Sequence, residues 1–437
     1  MNLGPLRQHG GIRLTDGRSK PLPFANAAVP TVCTVPLKQH HGEPASPLVK
    51  RGDTVREGML IGRSGDTRIH APIPGVVRDI TDLVDPDGTP CKAIVIELNG
   101  EFDRLGKEEV VHNWRGRTAS QLREALLDRG VVGMGDQGYP THLKLDVASK
   151  RQVEVLVINA LESDPNLQAD QQLVRLYPEK IIEGAQMLER IVSPGRVVFA
   201  FESRNRESAA ILREVVAKRE LPWSVKVLPH RYPLGDEKIA LQRLTGREIP
   251  PGGSSLDIGA LVINVSSAHE VYEAIALRKP VIERIITVAG GAIKTPKNLK
   301  VRLGMQIQEL IQECGGLTEM PDRIVLNGVM RGYTITDVTM PVTKTTRAIL
   351  ALTRGEVGQA PQLPCIQCGR CIRSCPVGLN PARLHKLINH GELSRAVDEG
   401  LMSCRECGIC AHVCPSRIPL VERFREAKEA ARKRGLA

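Results

Sequence analysis

The chain has 437 residues, a formal net charge of +11 and only 3% aromatic residues. That length supports three or four domains, the charge favours acidic partners, and the shortage of aromatic stacking platforms argues against nucleic acid. No apolar run approaches the roughly 20 residues that span a bilayer, so any membrane association is expected to be peripheral.

Residues 1–30 are polar with scattered glycine and proline and are expected to form an extended arm. The opening M-N-L-G-P-L-R-Q-H-G-G lacks the apolar core of a leader, which implies a reducing, cytoplasmic setting. Over 31–105 short strands alternate with turns, and V-x-x-G-D-x-V-x-x-G followed by A-P-x-x-G-x-V resembles the barrel-sandwich of lipoyl and biotinyl carriers. The stretch R-S-G-D-T-R-I-H between the two halves has no lysine to modify. A docking module is therefore expected, with His40, His41 and His70 as structural or surface residues rather than metal ligands.

From 115 to 250 the rhythm changes to alternating helices and strands, including V-E-V-L-V-I-N-A, R-V-V-F-A-F-E and V-K-V-L-P, the order of a parallel sheet with covering helices. Pro250, Pro251, Gly252 and Gly253 punctuate the next boundary, and 251–345 reads as a strand, a helix and a small mixed unit. Residues 346–437 are helical around cysteines and end in R-F-R-E-A-K-E-A-A-R-K-R-G, the pattern of an exposed helix with cations in its last turn. Cys33, Cys91 and Cys314 stand apart from the cysteine motifs and are expected as buried apolar side chains.

The other eight of the eleven cysteines form two copies of C-x-x-C-x-x-C-x-x-x-C-P, from Cys365 to Pro376 and from Cys404 to Pro415. This run holds two [4Fe–4S] clusters, with the fourth cysteine of each copy turning to the other cluster. One cluster is thus expected on Cys365, Cys368, Cys371 and Cys414, and the second on Cys375, Cys404, Cys407 and Cys410. Zinc sites pair two C-x-x-C units and have no use for a third cysteine followed by Cys-Pro, so zinc is the weaker reading. Disulfides do not suit a reducing compartment. Arg370, Arg373 and Arg405 sit among the ligands, where positive charge raises a cluster's potential, although arginines so placed are more often solvated surface residues.

With these residues in hand the chain resembles the C subunit of the Rnf (Rsx) ion-translocating electron transport complex, a relative of the flavin-bearing subunit of respiratory complex I. The likeness runs through H-G-G-I, P-L-K-Q-H-H-G-E-P-A, G-V-V-G-M-G-D-Q-G-Y-P-T-H-L-K, Y-P-L-G-D-E-K, V-I-E-R-I-I-T-V-A-G-G-A-I-K-T-P-K-N, P-V-T-K-T-T and both cysteine motifs. It implies a multidomain fold: a barrel-sandwich, an α/β flavin-type domain, a small β-grasp (soluble-ligand-binding-type) unit and a helical two-cluster ferredoxin-like domain. It also implies FMN and NAD(H) beside the clusters, with Gly133, Gly135, Gly138, Lys144, Glu162, Asp164 and Asn264 as cofactor-binding residues. Electrons would then pass between NAD(H) and a ferredoxin-like carrier, through partner subunits, at the cytoplasmic face of the inner membrane.

The flavin region departs from the family pattern. Asp136 and Gln137 replace small residues of the glycine loop, Glu162–Ser163–Asp164–Pro165–Asn166 replaces an acidic motif with an aromatic, Asn264–Val265–Ser266–Ser267–Ala268 replaces N-V-G-T-A, and N-G-V-M-R-G covers 327–332. A carboxylate roughly 5 Å from a phosphate costs about 1–3 kcal/mol at effective dielectrics between water and about 20. An affinity one to two decades lower is expected. The alternative is a flavin-free iron–sulfur adaptor that relays electrons between a soluble carrier and membrane subunits.

Overall fold

The computed structural model describes residues 10–14, 21–84, 88–135, 138–358 and 361–436. Asp136 and Gln137, which carry the expected loss of flavin affinity, lie outside that set.

The barrel-sandwich packs two antiparallel sheets. One has the order Val32–Pro36, Pro90–Leu98, Gly75–Val84, Thr54–Val55; the other runs Ser46–Pro47, Leu60–Arg63, Arg68–His70. Alternate residues of these strands point inward, and Cys33, Val35, Leu37, Ile61, Ile69, Ile73, Ile94 and Ile96 fill the interior. His40 and His70 are buried at its edge. Burial first, and the Lys344 charge second, hold their pKa values down at about 4 and about 3. An unfolded histidine takes its proton near 6.5. The stability these two rings contribute is therefore complete above about pH 6.5 and is lost as pH falls toward 3–4. Thermal melts are expected to show this acid slope, and the double variant His40→Gln, His70→Gln a flatter one.

The α/β domain is a four-stranded parallel sheet in the order Ser224–Leu228, Arg196–Glu202, Val155–Ala160, Ala260–Asn264. Strands buried on both faces read as unbroken apolar runs, as V-L-V-I-N-A does. Ala260–Asn264 pairs in parallel with Val155–Ala160. The Pro250–Gly253 punctuation is thus a surface turn inside one domain rather than the boundary expected there, because sheet pairing overrides a local turn signal. Helices Thr141–Ser149, Ala169–Leu176 and Glu237–Thr245 add to those read from the sequence.

A six-stranded sheet follows in the order Phe24–Asn26, Lys297–Arg302, Glu283–Ala289, Ala348–Leu352, Arg323–Leu326, Tyr333–Ile335. The described parts of the N-terminal arm, residues 10–14 and 21–30, are pinned to the body of the chain. Phe24–Asn26 adds a parallel edge strand, Ile12 bridges Tyr232, and Gly11 N–H donates to the Ser374 carbonyl at 2.9 Å. A Cβ on Gly10 would lie 2.0 Å from the Cys375 carbonyl oxygen, so only glycine lets the arm pass this close.

The C-terminal domain packs Pro381–Asn389, Leu393–Asp398 and Leu420–Lys433 around Leu384, Leu387, Leu401, Ile418 and Phe424. The last helix is amphipathic rather than simply exposed. Phe424, Ala427 and Ala431 are buried, and the buried Lys428 side chain donates through its ammonium to the Cys404 carbonyl at 2.6 Å and to Glu406 at 2.8 Å. Cys33, Cys91 and Cys314 are buried as expected. No helix among the described residues is long and apolar enough to cross a membrane.

Candidate functional site

In the parallel sheet the chain adds strands on one side of Val155–Ala160 and then returns to add Ala260–Asn264 on the other. Such a reversal leaves a crevice at the carboxyl ends of the two adjacent strands, where α/β proteins bind ligands. A cavity of about 220 Å³ lies there, walled by Asn159 and Leu161 from one strand end and by Val262, Ile263 and Asn264 from the other. The glycine loop and the first turn of Thr141–Ser149 close its second side, and Y-P-L-G-D-E-K its third. It adjoins a second cleft of about 410 Å³, with Asp164, Arg331, Arg347 and Arg405 lining both.

The lining suits a flavin phosphate and ring. The first turns of Thr141–Ser149 and Val265–Ala276 both border the cavity, and helix N-termini offer free N–H groups to an anion. Gly235 lets Y-P-L-G-D-E-K pack close on the strand end, since a Cβ there would lie 2.5 Å from the Leu161 carbonyl oxygen and 2.8 Å from Ser163 Oγ, whereas a Cβ on Gly135 would meet nothing within 4 Å. FMN bound here exchanges electron pairs on one side and single electrons on the other.

Four segments of the chain hold the glycine loop. Met134 N–H donates to Ser267 Oγ at 2.9 Å, while the buried Arg284 guanidinium donates to the Met134 carbonyl at 3.0 Å. His41 N–H donates to the Gly138 carbonyl at 3.1 Å, and the His41 ring stacks on Tyr139 with centroids 5.8 Å apart. Gly138 has φ of +60°, and a Cβ there would meet the Thr345 methyl at 2.8 Å. Beneath the loop, the buried Lys344 ammonium donates to the Gly130 carbonyl at 2.7 Å and to the Arg68 carbonyl at 2.9 Å. The barrel and P-V-T-K-T-T thus converge on the flavin loop, a meeting that neither motif announces in the sequence.

Of the seven cofactor-binding residues expected, Gly133, Gly135, Gly138, Lys144, Asp164 and Asn264 line the cavity. Glu162 does not. It is 1% exposed, and its Oε1 accepts from the Asp170 N–H at 3.1 Å. It faces inward because it caps the start of Ala169–Leu176, a helix with no signal in the sequence. Lys144 Nζ donates to the Val262 carbonyl at 2.7 Å and stands 3.4 Å from Glu237. Asn264 caps its own helix by accepting from Ser266 N–H at 2.8 Å, and its amide donates to Asp170 at 3.0 Å. Asp170, also accepting from Ser266 Oγ at 2.5 Å and 3.6 Å from Arg347, organises this corner without having been foreseen.

The cysteines divide unevenly. Cys365 and Cys368 are exposed, whereas Cys375, Cys407 and Cys410 are buried. Burial pushes the Cys407 thiol up to about 12, with Cys404 and Cys375 as its cysteine neighbours; Cys410 is raised by burial and then by Cys404, Cys407 and Cys375. Cys375 thus has cysteines of the second motif as neighbours, while the neighbour felt by Cys371 is Cys365. Among the described residues no three candidate ligands come together around a single ion.

One wall is common to the cavity and the second cysteine motif. Tyr232 lines the cavity, is fully buried, and donates its hydroxyl proton to the Cys407 carbonyl at 2.6 Å. Arg405, next to Cys404, also lines the cavity and pairs with the buried Asp236 at 2.9 Å; Arg331 approaches the same carboxylate at 3.7 Å. Arg405 is thus an internal tie, unlike Arg370 and Arg373, which are exposed. In sequence Arg405 resembles the solvated arginines because its partner lies far back in Y-P-L-G-D-E-K.

A flavin-type α/β domain joined to a two-cluster domain defines an electron-transfer protein that links pair and single-electron chemistry. Family models divide the chain accordingly: the RnfC barrel sandwich hybrid domain matches residues 6–101, the Nuo51 FMN-binding domain 126–273, the SLBB domain 285–334 and a 4Fe-4S dicluster domain 364–418. The C subunit of the ion-translocating oxidoreductase complex of Rhodobacter capsulatus is 36% identical over 405 residues, covering 92% of this chain and 78% of that protein. The C subunit of the proton-translocating ferredoxin:NAD(+) oxidoreductase complex of Clostridium ljungdahlii is 34% identical over 382 residues, covering 86% and 83%. The Pseudomonas aeruginosa counterpart is 35% identical over 421 residues, but the chain spans 54% of its length. A chain of an NAD+-reducing [NiFe]-hydrogenase shares the fold at TM-score 0.51 and 15% identity, over 72% of this chain and 62% of that one.

The chain belongs to the family of C subunits of Rnf-type ion-translocating oxidoreductase complexes. It carries that family's FMN-binding and two-cluster domains and has an electron-transfer role.

Proposed function

We propose that this chain carries electrons between NAD(H) at the switch-point cavity and partner subunits of a membrane complex, with a ferredoxin-like carrier at the far end of the route. The observation that carries the proposal is the shared wall, in which Tyr232, hydrogen-bonded to Cys407, and Arg405, within the Cys404–Cys407 segment, both line the flavin cavity. Gly133, Gly135 and Gly138 let the backbone approach the cofactor phosphate, and Lys144 supplies a cation beside it. Asp164, at the junction of the two clefts, is placed to accept from a nicotinamide amide or ribose hydroxyl. Arg405 and Arg331, neutralised in part by Asp236, favour negative charge arriving between cavity and cluster. The cluster on Cys375, Cys404, Cys407 and Cys410 is the inner one, and that on Cys365, Cys368, Cys371 and Cys414 the outer. The barrel, which lacks a carrier lysine, serves as a docking and bracing module, with the assembly at the cytoplasmic face of the inner membrane.

Anaerobic addition of NADH to the purified chain tests the reading through the visible spectrum. Bleaching of both flavin and cluster bands is expected. Replacement of Tyr232 by Phe removes one buried hydrogen bond, worth about 1 kcal/mol, and is expected to slow cluster bleaching while leaving flavin bleaching unchanged. A chain with full iron and no releasable flavin would be an adaptor and not a dehydrogenase subunit.

A further inference from the structure

In the relay proposed above, electrons leave by the outer cluster, and the surface around Cys365 and Cys368 is unlike the rest of the C-terminal domain. Both cysteines are exposed, and four aliphatic side chains stand out around them: Leu363 at 54%, Ile366 at 67%, Ile372 at 40% and Val377 at 36% exposure. Single exposed aliphatics are ordinary, but four within fifteen residues beside a redox centre form a patch of the kind that docks a protein. Between Glu356 and Glu392 the chain has no carboxylate at all, whereas Arg370 and Arg373 stand exposed inside the patch. The second motif differs. Its Glu406 is tied to Lys428 and Arg425, and its Arg405 to Asp236.

We propose that the rim formed by Leu363, Ile366, Arg370, Ile372, Arg373 and Val377 is the docking surface for an acidic one-electron carrier protein. The inference rests on the relay reading above and adds to it the face and the charge of the partner. An apolar centre with a one-sign charged border excludes water from the contact while steering the encounter. One electron crosses per encounter: the donor cluster is oxidised, the acceptor centre is reduced, and no bond or proton moves. Transfer in the opposite direction uses the same contact.

The test mixes the full chain, cluster-loaded and dithionite-reduced, with an oxidised acidic two-cluster ferredoxin in a stopped-flow instrument, following the second-order rate at low and high salt. The double reversal Arg370→Glu, Arg373→Glu is expected to lower the low-salt rate about tenfold or more, with the gap closing as salt screens the charges. The reversal Arg432→Glu, Arg434→Glu on the C-terminal helix is expected to leave the rate within about twofold. Because the first pair lies between cluster ligands, amide hydrogen exchange of the unmodified chain with and without the ferredoxin provides a second readout. Protection over 363–377 is expected. Unchanged rates in variants with full EPR signals, or protection confined to another face, would overturn the docking surface while leaving the relay intact. An unmodified chain without EPR signals would instead overturn the relay reading itself.

Discussion

Replacing Cys375 by Ala is expected to remove the cluster of the second motif, although Cys375 belongs to the first. Iron should fall from roughly eight to roughly four atoms per chain. The reason is spatial. Cys375 is buried, the neighbours that raise the Cys407 and Cys410 thiols include it, and its sulfur already accepts from Leu379 N–H at 3.3 Å. Its carbonyl also abuts Gly10 of the arm, so the turn that carries it is clamped from both sides. Low-temperature EPR separates crossed from local ligation. The signal left in Cys375→Ala should coincide with that left in Cys407→Ala and differ from that left in Cys365→Ala. A residual signal shared with Cys365→Ala would mean that each motif holds its own cluster.

The second large effect is expected at Lys344, a residue outside the cysteine motifs. Truncation to Ala leaves the buried Arg68 and Gly130 carbonyls without their donor, at about 1–3 kcal/mol each. It also opens a void at the junction of barrel, flavin loop and β-grasp unit. Calorimetry should show a lower melting temperature, and flavin should be retained more weakly because Thr345 no longer supports Gly138. Burial lowers the ammonium pKa to about 7, opposed by the Glu270 charge. The unfolded chain holds this proton up to about 10.4. Between about pH 7 and 10 the unfolded state therefore binds more protons, and the folded chain gains stability relative to it as pH rises. A Lys344→Met variant lacks this alkaline gain, so the unmodified chain should gain stability relative to it from pH 7 to pH 9.

These effects mark what can be read in the sequence and what cannot. The cysteine spacing is legible because cluster geometry fixes it within a dozen residues. The strands V-L-V-I-N-A and R-V-V-F-A-F-E are legible because a sheet covered on both faces demands continuous apolar runs. Thr141–Ser149 reads as part of the glycine loop because Pro140, not a side-chain cap, starts it, and its apolar residues form no clear stripe. Ala169–Leu176 is hidden for a different reason. It buries Asp170, Gln171 and Gln172, polar residues that satisfy partners across the fold rather than facing water. Glu162 reads as a cofactor ligand by resemblance, and only the position of that helix shows it turned inward. Tyr232, Asp236 and Lys344 escape for one shared reason. Their partners lie more than a hundred residues away, at Cys407, Arg405, Arg68 and Gly130, and no local pattern encodes such a pairing.

In the proposed relay, the flavin cavity and the cluster of the second motif act in series across one shared wall. The most direct measurement of that coupling is the composition of the anaerobically purified chain together with low-temperature EPR after dithionite reduction. About eight irons, about eight sulfides and one FMN per chain, with two magnetically coupled signals of which one responds to Tyr232→Phe, is the expected result. Two zinc ions with no EPR signal, or two clusters whose spectra are both indifferent to the tyrosine and to flavin removal, would contradict it.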